Sequence, residues 1–203
     1  MKKLITWCII ASAVFSIFFC VTLLKDKQYL RNELIRLHVV GNSNSTDDQR
    51  IKLSVRDAIL AYLTDDMISV TNVTDARTFL QNHLYELETV ANEALKADNS
   101  KYSAEVSLTK EPFGTRKYDT FSLPSGVYES LRIDIGQAQG KNWWCVVFPT
   151  LCVPKTTEAF SDTAQSNGVR NGLSDTLSND RQYHVRFYLL DCLGKLENLF
   201  FLS

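Results

Sequence analysis

The chain has 203 residues, 45% of them hydrophobic and 22% charged, with 22 Lys/Arg against 23 Asp/Glu for a formal net charge of −1. That is enough apolar material for one domain with a real core plus a short accessory segment. Near-neutral charge without any long Lys/Arg block excludes the footprint of a nucleic-acid binder, so no nucleic acid is expected as a partner.

The N-terminus is a different material from the rest. Lys2 and Lys3 form a short basic head, residues 4–24 (Leu4 to Leu24) carry no charge, and Lys25, Asp26 and Lys27 end the run. At the helical rise this run spans about 31 Å, close to the hydrocarbon thickness of a bilayer. The positive-inside rule keeps Lys2 and Lys3 in the cytoplasm and exports the remainder. Residues 1–27 therefore read as a signal peptide or signal anchor and 28–203 as the exported domain. The Ala11-Ser12-Ala13 triplet follows too short an apolar stretch for an ordinary cleavage site, and Cys20 to Leu24 lack one. A retained anchor that contacts the membrane through residues 4–24 and a released protein both remain open.

Tyr29 to Leu34 reads as a helical or extended continuation. Ile35-Arg36-Leu37-His38-Val39-Val40 then alternates apolar and polar, which predicts a strand with one wet face. Gly41 to Thr46 is a turn rich in residues that bond their own backbone. A helix follows, N-capped by Ser45 or Thr46 with Asp47 and Asp48 in its first turn. Its buried stripe is Ile51, Val55, Ile59 and Tyr62. A longer helix is predicted from Thr74 to Ala97, with Leu80, Leu84, Leu87, Ala91 and Leu95 facing the core.

Tyr102 to Leu108 alternates as a strand, Pro112-Phe113-Gly114 turns the chain, and Arg116 to Phe121 reads as a second strand. After a turn at Leu123 to Gly126, Val127 to Ile135 puts Leu131, Ile133 and Ile135 on one face and Ser130, Arg132 and Asp134 on the other. Trp143 to Phe148 is an apolar strand. Strands joined by short turns imply a mainly antiparallel sheet. With two main helices packed on one face, the fold class is α+β.

Residues 161–182 are dominated by Ser, Asn, Asp, Gly and Thr and read as a flexible insertion, lacking apolar surface to offset their ordering entropy. Tyr183 to Leu190 is strand-like, and Asp191 to Phe200 predicts a short closing helix. Of the five cysteines, Cys145 and Cys152 are the disulfide candidates in an exported chain. A bridge there would contribute roughly 2.5 kcal/mol through loop closure; two buried free thiols are the alternative. Cys192 reads as a small hydrophobe.

Catalytic signatures are missing: no Gly-x-Ser-x-Gly elbow, no His-Glu-x-x-His pair and no phosphate-binding glycine loop. His38, His83 and His184 do not share metal-ligand spacing, so no metal and no cofactor are expected. A Cys145–His38 thiol-imidazole pair and the adjacent carboxylates Asp47–Asp48 and Asp65–Asp66 are weak candidates beside their ordinary roles as buried thiol and helix-end residues. No catalytic residue is assigned. The more informative group is Arg36, His38, Asn42, Asp48, Lys52, Arg56 and Asp57, which a strand face, a turn and a helix would place on one polar surface. Together with Trp143 and Trp144 these are the partner-binding candidates; capping and ordinary solvation are the bland reading of the same residues.

The stretches Ile35 to Ser45, Asp48-Gln49 and Lys52-Leu53-Ser54-Val55-Arg56-Asp57 resemble the opening motif of the stage II sporulation protein R family. Leu123 to Arg132, Gly140 to Pro149, Leu151-Cys152 and the final Val185-Arg186-Phe187 resemble its second half. Gly41 and Asn44 depart from the alanine and aspartate expected of the family. The resemblance implies a forespore-made protein exported into the intermembrane space between forespore and mother cell. There it would activate a membrane-embedded sporulation aspartic protease that processes the sigma-E precursor. It also implies a signal and not an enzyme; an exported hydrolase acting on cell wall or peptide is the competing function.

Overall fold

In a computed structural model, residues 2–67, 70–118, 122–148 and 184–201 are described. The predicted insertion at 161–182 and Cys152 lie outside them. Among the described residues five helices and six strands run in the order α1 (Lys2–Glu33), β1 (Ile35–Val40), α2 (Thr46–Asp66), α3 (Val73–Asn82), α4 (Leu84–Ala97), β2 (Ala104–Phe113), β3 (Arg116–Lys117), β4 (Ser122–Leu123), β5 (Gly126–Ile135), β6 (Asn142–Phe148) and α5 (His184–Phe201). The fold is α+β. Four strands form one mixed sheet in the order β2-β5-β1-β6, and β3-β4 make a small second ladder. β2/β5 and β1/β6 are antiparallel, as the short turns suggested, while the central β1/β5 pair is parallel. The chain makes its excursion through the helices and β2 before β5 returns beside β1.

One sheet face carries the main core. Ile35, Leu37 and Val39 of β1, Leu131, Ile133 and Ile135 of β5, and Cys145 and Val147 of β6 meet Ile51, Val55, Ile59 and Leu63 of α2 and Leu87, Ala91 and Leu95 of α4. Full burial of one such aliphatic side chain is worth roughly 1.5–3 kcal/mol. In α2 the fourth member of the stripe is Leu63, with Tyr62 only partly buried beside it. The long helix expected from Thr74 to Ala97 is broken at His83. Its φ of −110° leaves the helical region, and its Nδ1 sits 2.8 Å from the carbonyl oxygen of Phe79, closing the α3 end.

Two further expectations are corrected. β2 runs on through Pro112 and Phe113 instead of turning there. It is an edge strand, where the missing proline N–H is tolerated. Residues 184–190, read as a strand, open one continuous helix to Phe201. The reason is a helical spacing that alternation concealed: Asp191, Gly194 and Asn198 share the side that packs on the sheet. Asp191 accepts from Ser125 N (2.7 Å) and Thr115 Oγ1 (2.5 Å), and Asn198 Nδ2 donates to Phe113 O (2.8 Å).

α1 is long and apolar enough to cross a membrane. It passes through the boundary drawn at residue 27 without a break. Its first part is bare, but Leu23 and Leu30 are buried, as is Leu34 just beyond its end. Lys27 Nζ lies 3.2 Å from Glu197 Oε2, Arg31 Nη1 lies 3.6 Å from Glu197 Oε1, and Arg186 pairs with Asp26. Leu30 and Leu34 join Phe113, Leu123, Tyr128 and Val146 in a second apolar cluster, on the sheet face away from α2.

Candidate functional site

The second cluster decides where the predicted polar residues lie. All six residues of β1 are buried, so the strand has no wet face. Arg36 is 0% and His38 4% exposed. The expectation that they share one exposed surface with α2 is corrected: they point into the sheet's second face, covered by the end of α1, the β3–β4 arm and α5.

The turn after β1 is a clamp. Asn42 Nδ2 and Ser43 Oγ donate to Asp48 Oδ2 at 2.9 and 2.5 Å, and Asp48 N donates to Ser45 Oγ at 3.1 Å, so Ser45 is the N-cap of α2. From the β5–β6 loop, Gln137 N donates to Asn42 Oδ1 (3.0 Å), Gly140 N to Gly41 O (2.7 Å) and Lys141 N to Asn44 Oδ1 (2.8 Å). Lys52 Nζ donates to Lys141 O (2.9 Å) and Gln49 Oε1 (2.7 Å). A Cβ at Gly140 would overlap the carbonyls of Ser43 and Gly41, so the two segments approach at glycine distance. The hydroxyl of Ser43 and the amide of Asn42 hold the Asp48 carboxyl below its ordinary value. Burial, with the charges of Arg56 and Lys141, draws the Lys52 ammonium down. Asn42, Asp48 and Lys52 are thus brought together as the lock between two loops.

Arg56, Asp57 and Trp143 are what remains near the surface. The Arg56 guanidinium lies 4.2 Å from the Trp143 ring centroid and pairs with exposed Asp57 at 2.7 Å. Trp143 is 37% exposed, whereas Trp144 is half-buried and stacks on His38 with ring centroids 3.7 Å apart.

Beneath Trp144 lies a network that sequence reasoning missed. His38 donates from Nδ1 to Glu111 Oε2 at 2.9 Å, the ionised carboxylate being an acceptor only. Arg132 spans the same Glu111 oxygen (2.8 Å) and Asp134 (2.8 Å). Burial alone would raise the Glu111 carboxyl, but hydrogen bonds and charge from His38, helped by Ser130 and Arg132, outweigh it and hold it low. Arg36 stands next to it with no carboxylate partner among the described residues. Its Nη2 donates to Tyr118 OH (2.9 Å), and its guanidinium lies 4.0 Å from the Phe113 ring and 5.3 Å from the Tyr128 ring. Burial pulls its basicity down, partly offset by Tyr118 and Tyr128. The signal that was available was the pairing of polar positions: Arg36 with Ser130 and His38 with Arg132 lie side by side once β1 and β5 are in register.

His38 and Cys145 cannot act together. β1/β6 register sets His38 opposite Trp144 and Leu37 opposite Cys145, so the cysteine faces the main core, away from the imidazole. Cys145 is disulfide-bonded. Among the described residues no three His, Cys, Asp or Glu side chains converge as a metal site requires.

The motifs that build the clamp, the Leu123–Gly126 turn and the Trp143–Trp144 strand all lie within residues 31–158, which match the family model for stage II sporulation protein R. The chain belongs to that family. Stage II sporulation protein R of Bacillus subtilis (strain 168) is 35% identical over 121 residues, 60% of this chain and 54% of that protein. The match thus spans about half the length of this curated relative. No solved structure matches. Most of α1 and all of α5, the helix pair that closes the second face, fall outside residues 31–158.

Proposed function

We propose that this chain is an exported signalling protein of endospore formation. It works by docking on a membrane-bound aspartic protease and favouring the form that processes the sigma-E precursor. Membership of the sporulation family over residues 31–158 carries the reading and supports a role in sporulation. α1 is compatible with export or anchoring. The opposed faces of His38 and Cys145 favour docking over thiol chemistry. Docking can shift the protease only by its differential affinity for the two states, so the chain needs an accessible, oriented surface. Arg56, Asp57 and Trp143 supply one, an aromatic anchor flanked by charge.

The test mixes the full chain with membranes carrying the protease and its precursor. Processing that persists in C145A and falls at least tenfold in W143A and R56A, all folded by circular dichroism, is the expected result. Turnover of a cell-wall or peptide substrate by the purified chain without those membranes would sink it in favour of a hydrolase.

A further inference from the structure

Arg36 is a fully buried cation whose charge no carboxylate among the described residues answers. Its Nε and Nη1 have no acceptor among the described residues, and its strongest electrostatic neighbours are Tyr118, Tyr128 and a second cation, Arg116. Arg116 is half-buried, lies 5.1 Å from the Trp144 ring, and its Nε is buried without an acceptor as well. The Nε2 of His38, stacked on the same indole, is a fourth buried nitrogen lacking a partner. Leaving such groups unsatisfied is costly, and buried guanidinium groups are normally paired. The described acids on this face pair elsewhere, Glu111 with His38 and Arg132, Asp134 with Arg132, and Asp191 with Ser125, Thr115 and Lys195, and although Glu111 Oε1 and Asp134 Oδ1 are buried without a hydrogen-bond partner, neither is bonded to Arg36.

We propose that Arg36 and Arg116, walled by Phe113 and Trp144, form a receptor for a carboxylate side chain presented by a protein partner. The chemistry selects that class. Two guanidinium groups supply charge and N–H donors suited to a carboxylate, and the aromatic walls suit the methylene groups of Glu or Asp. Arg116 and Trp144, both half-buried, form the rim and Arg36 the floor. Access requires the Tyr118 side chain, whose hydroxyl accepts from Arg36 Nη2, to give way. The receptor's existence is independent of the signalling proposal; naming the protease as the partner that presents the acid rests on it.

The test uses the full-length chain in detergent micelles with Trp7→Phe and Trp143→Phe, leaving Trp144 as the sole indole reporter. It is titrated at fixed ionic strength with propionate, propionamide and inorganic phosphate. A saturable change in Trp144 fluorescence with propionate alone is expected, at least tenfold weaker in R116Q and in R36K. R116Q guards the test against misfolding at the buried position. Equal responses to propionate and propionamide, or an R116Q response matching that of the parent, overturn the site. A phosphate response as strong as that of propionate overturns the carboxylate assignment. Propionate binding by the reporter, together with a parent chain carrying Trp7 and Trp143 that fails to stimulate processing, sinks the signalling proposal and leaves the receptor standing.

Discussion

Gly194 of α5 lies flat against the carbonyl of Ser125, so closely that a methyl group there would overlap it. Contact at this distance fixes how α5 seats on the turn before β5, and Asp191 and Asn198 grip the same turn from either side.

Gly194→Ala is therefore expected to destabilise the protein even though alanine is the better helix former. Overpacking of a tight contact costs about 1–3 kcal/mol, against roughly 1 kcal/mol of helix propensity regained. Denaturant midpoints for the two proteins check this. A more stable alanine variant would show that α5 does not seat there.

Asn42→Ala removes the acceptor of Gln137 N and one donor to Asp48 together. The bond from Gln137 N is exposed and the one to Asp48 part-buried, so each contributes roughly 0.5–1.5 kcal/mol net. Amide exchange at Gln137 and Lys141 should accelerate in parallel with the fall in stability, because the β5–β6 loop loses its hold on the β1–α2 turn.

Asp48 and Glu111 give the fold an acid-sensitive component. Both carboxyls lie below their ordinary values in the folded protein. Their contribution is fully present above the unfolded values of roughly 4 and is lost as pH falls through the lower, folded values. Stability measured from pH 6 downward should hold to about 5 and then decline. In Ser43→Ala, which lacks a hydroxyl donor to Asp48, the decline should be shallower because less is left to lose.

Glu197 joins three elements: it pairs with Lys27 and Arg31 of α1 and accepts from Val127 N of β5. Glu197→Ala should cost about 2 kcal/mol, the range of hydrogen bonds to a charged group. Glu197→Gln, which keeps an acceptor for Val127 N, should cost less. Limited proteolysis of α5 in the full-length chain ranks the two variants directly.

The main core was legible because each of its elements buries one face against a neighbour, which is what periodicity reports. Ile51, Val55 and Ile59, and Leu131, Ile133 and Ile135, follow that rule. β1 breaks it. Arg36 and His38 alternate as solvent-facing residues do, but distant parts of the chain cover them, and no local pattern announces a long-range lid. The same cause hid the network of Glu111 and Arg132. α5 was misread because Val185 to Leu190 is rich in strand-forming residues, while the docking residues Asp191, Gly194 and Asn198 that demand a helix are polar or small. Among the candidate residues, Asn42 and Asp48 had a structural reading in the sequence from the start, as a turn residue and a first-turn helix residue, and the clamp gives that reading its geometry; Lys52 read as a charge off the buried stripe, and only the fold shows it buried against Lys141 O.

α1 joins its bare apolar length to Leu30 and Leu34 in the second cluster without any intervening coil. An intact helix therefore works as a mast, and the folded head has no slack on which to swing. From Lys25 to Glu33 the rise is only about 13 Å. When the apolar length is seated in a bilayer, the head stands at a set height and heading, and whatever it meets must come within its own stature to be touched.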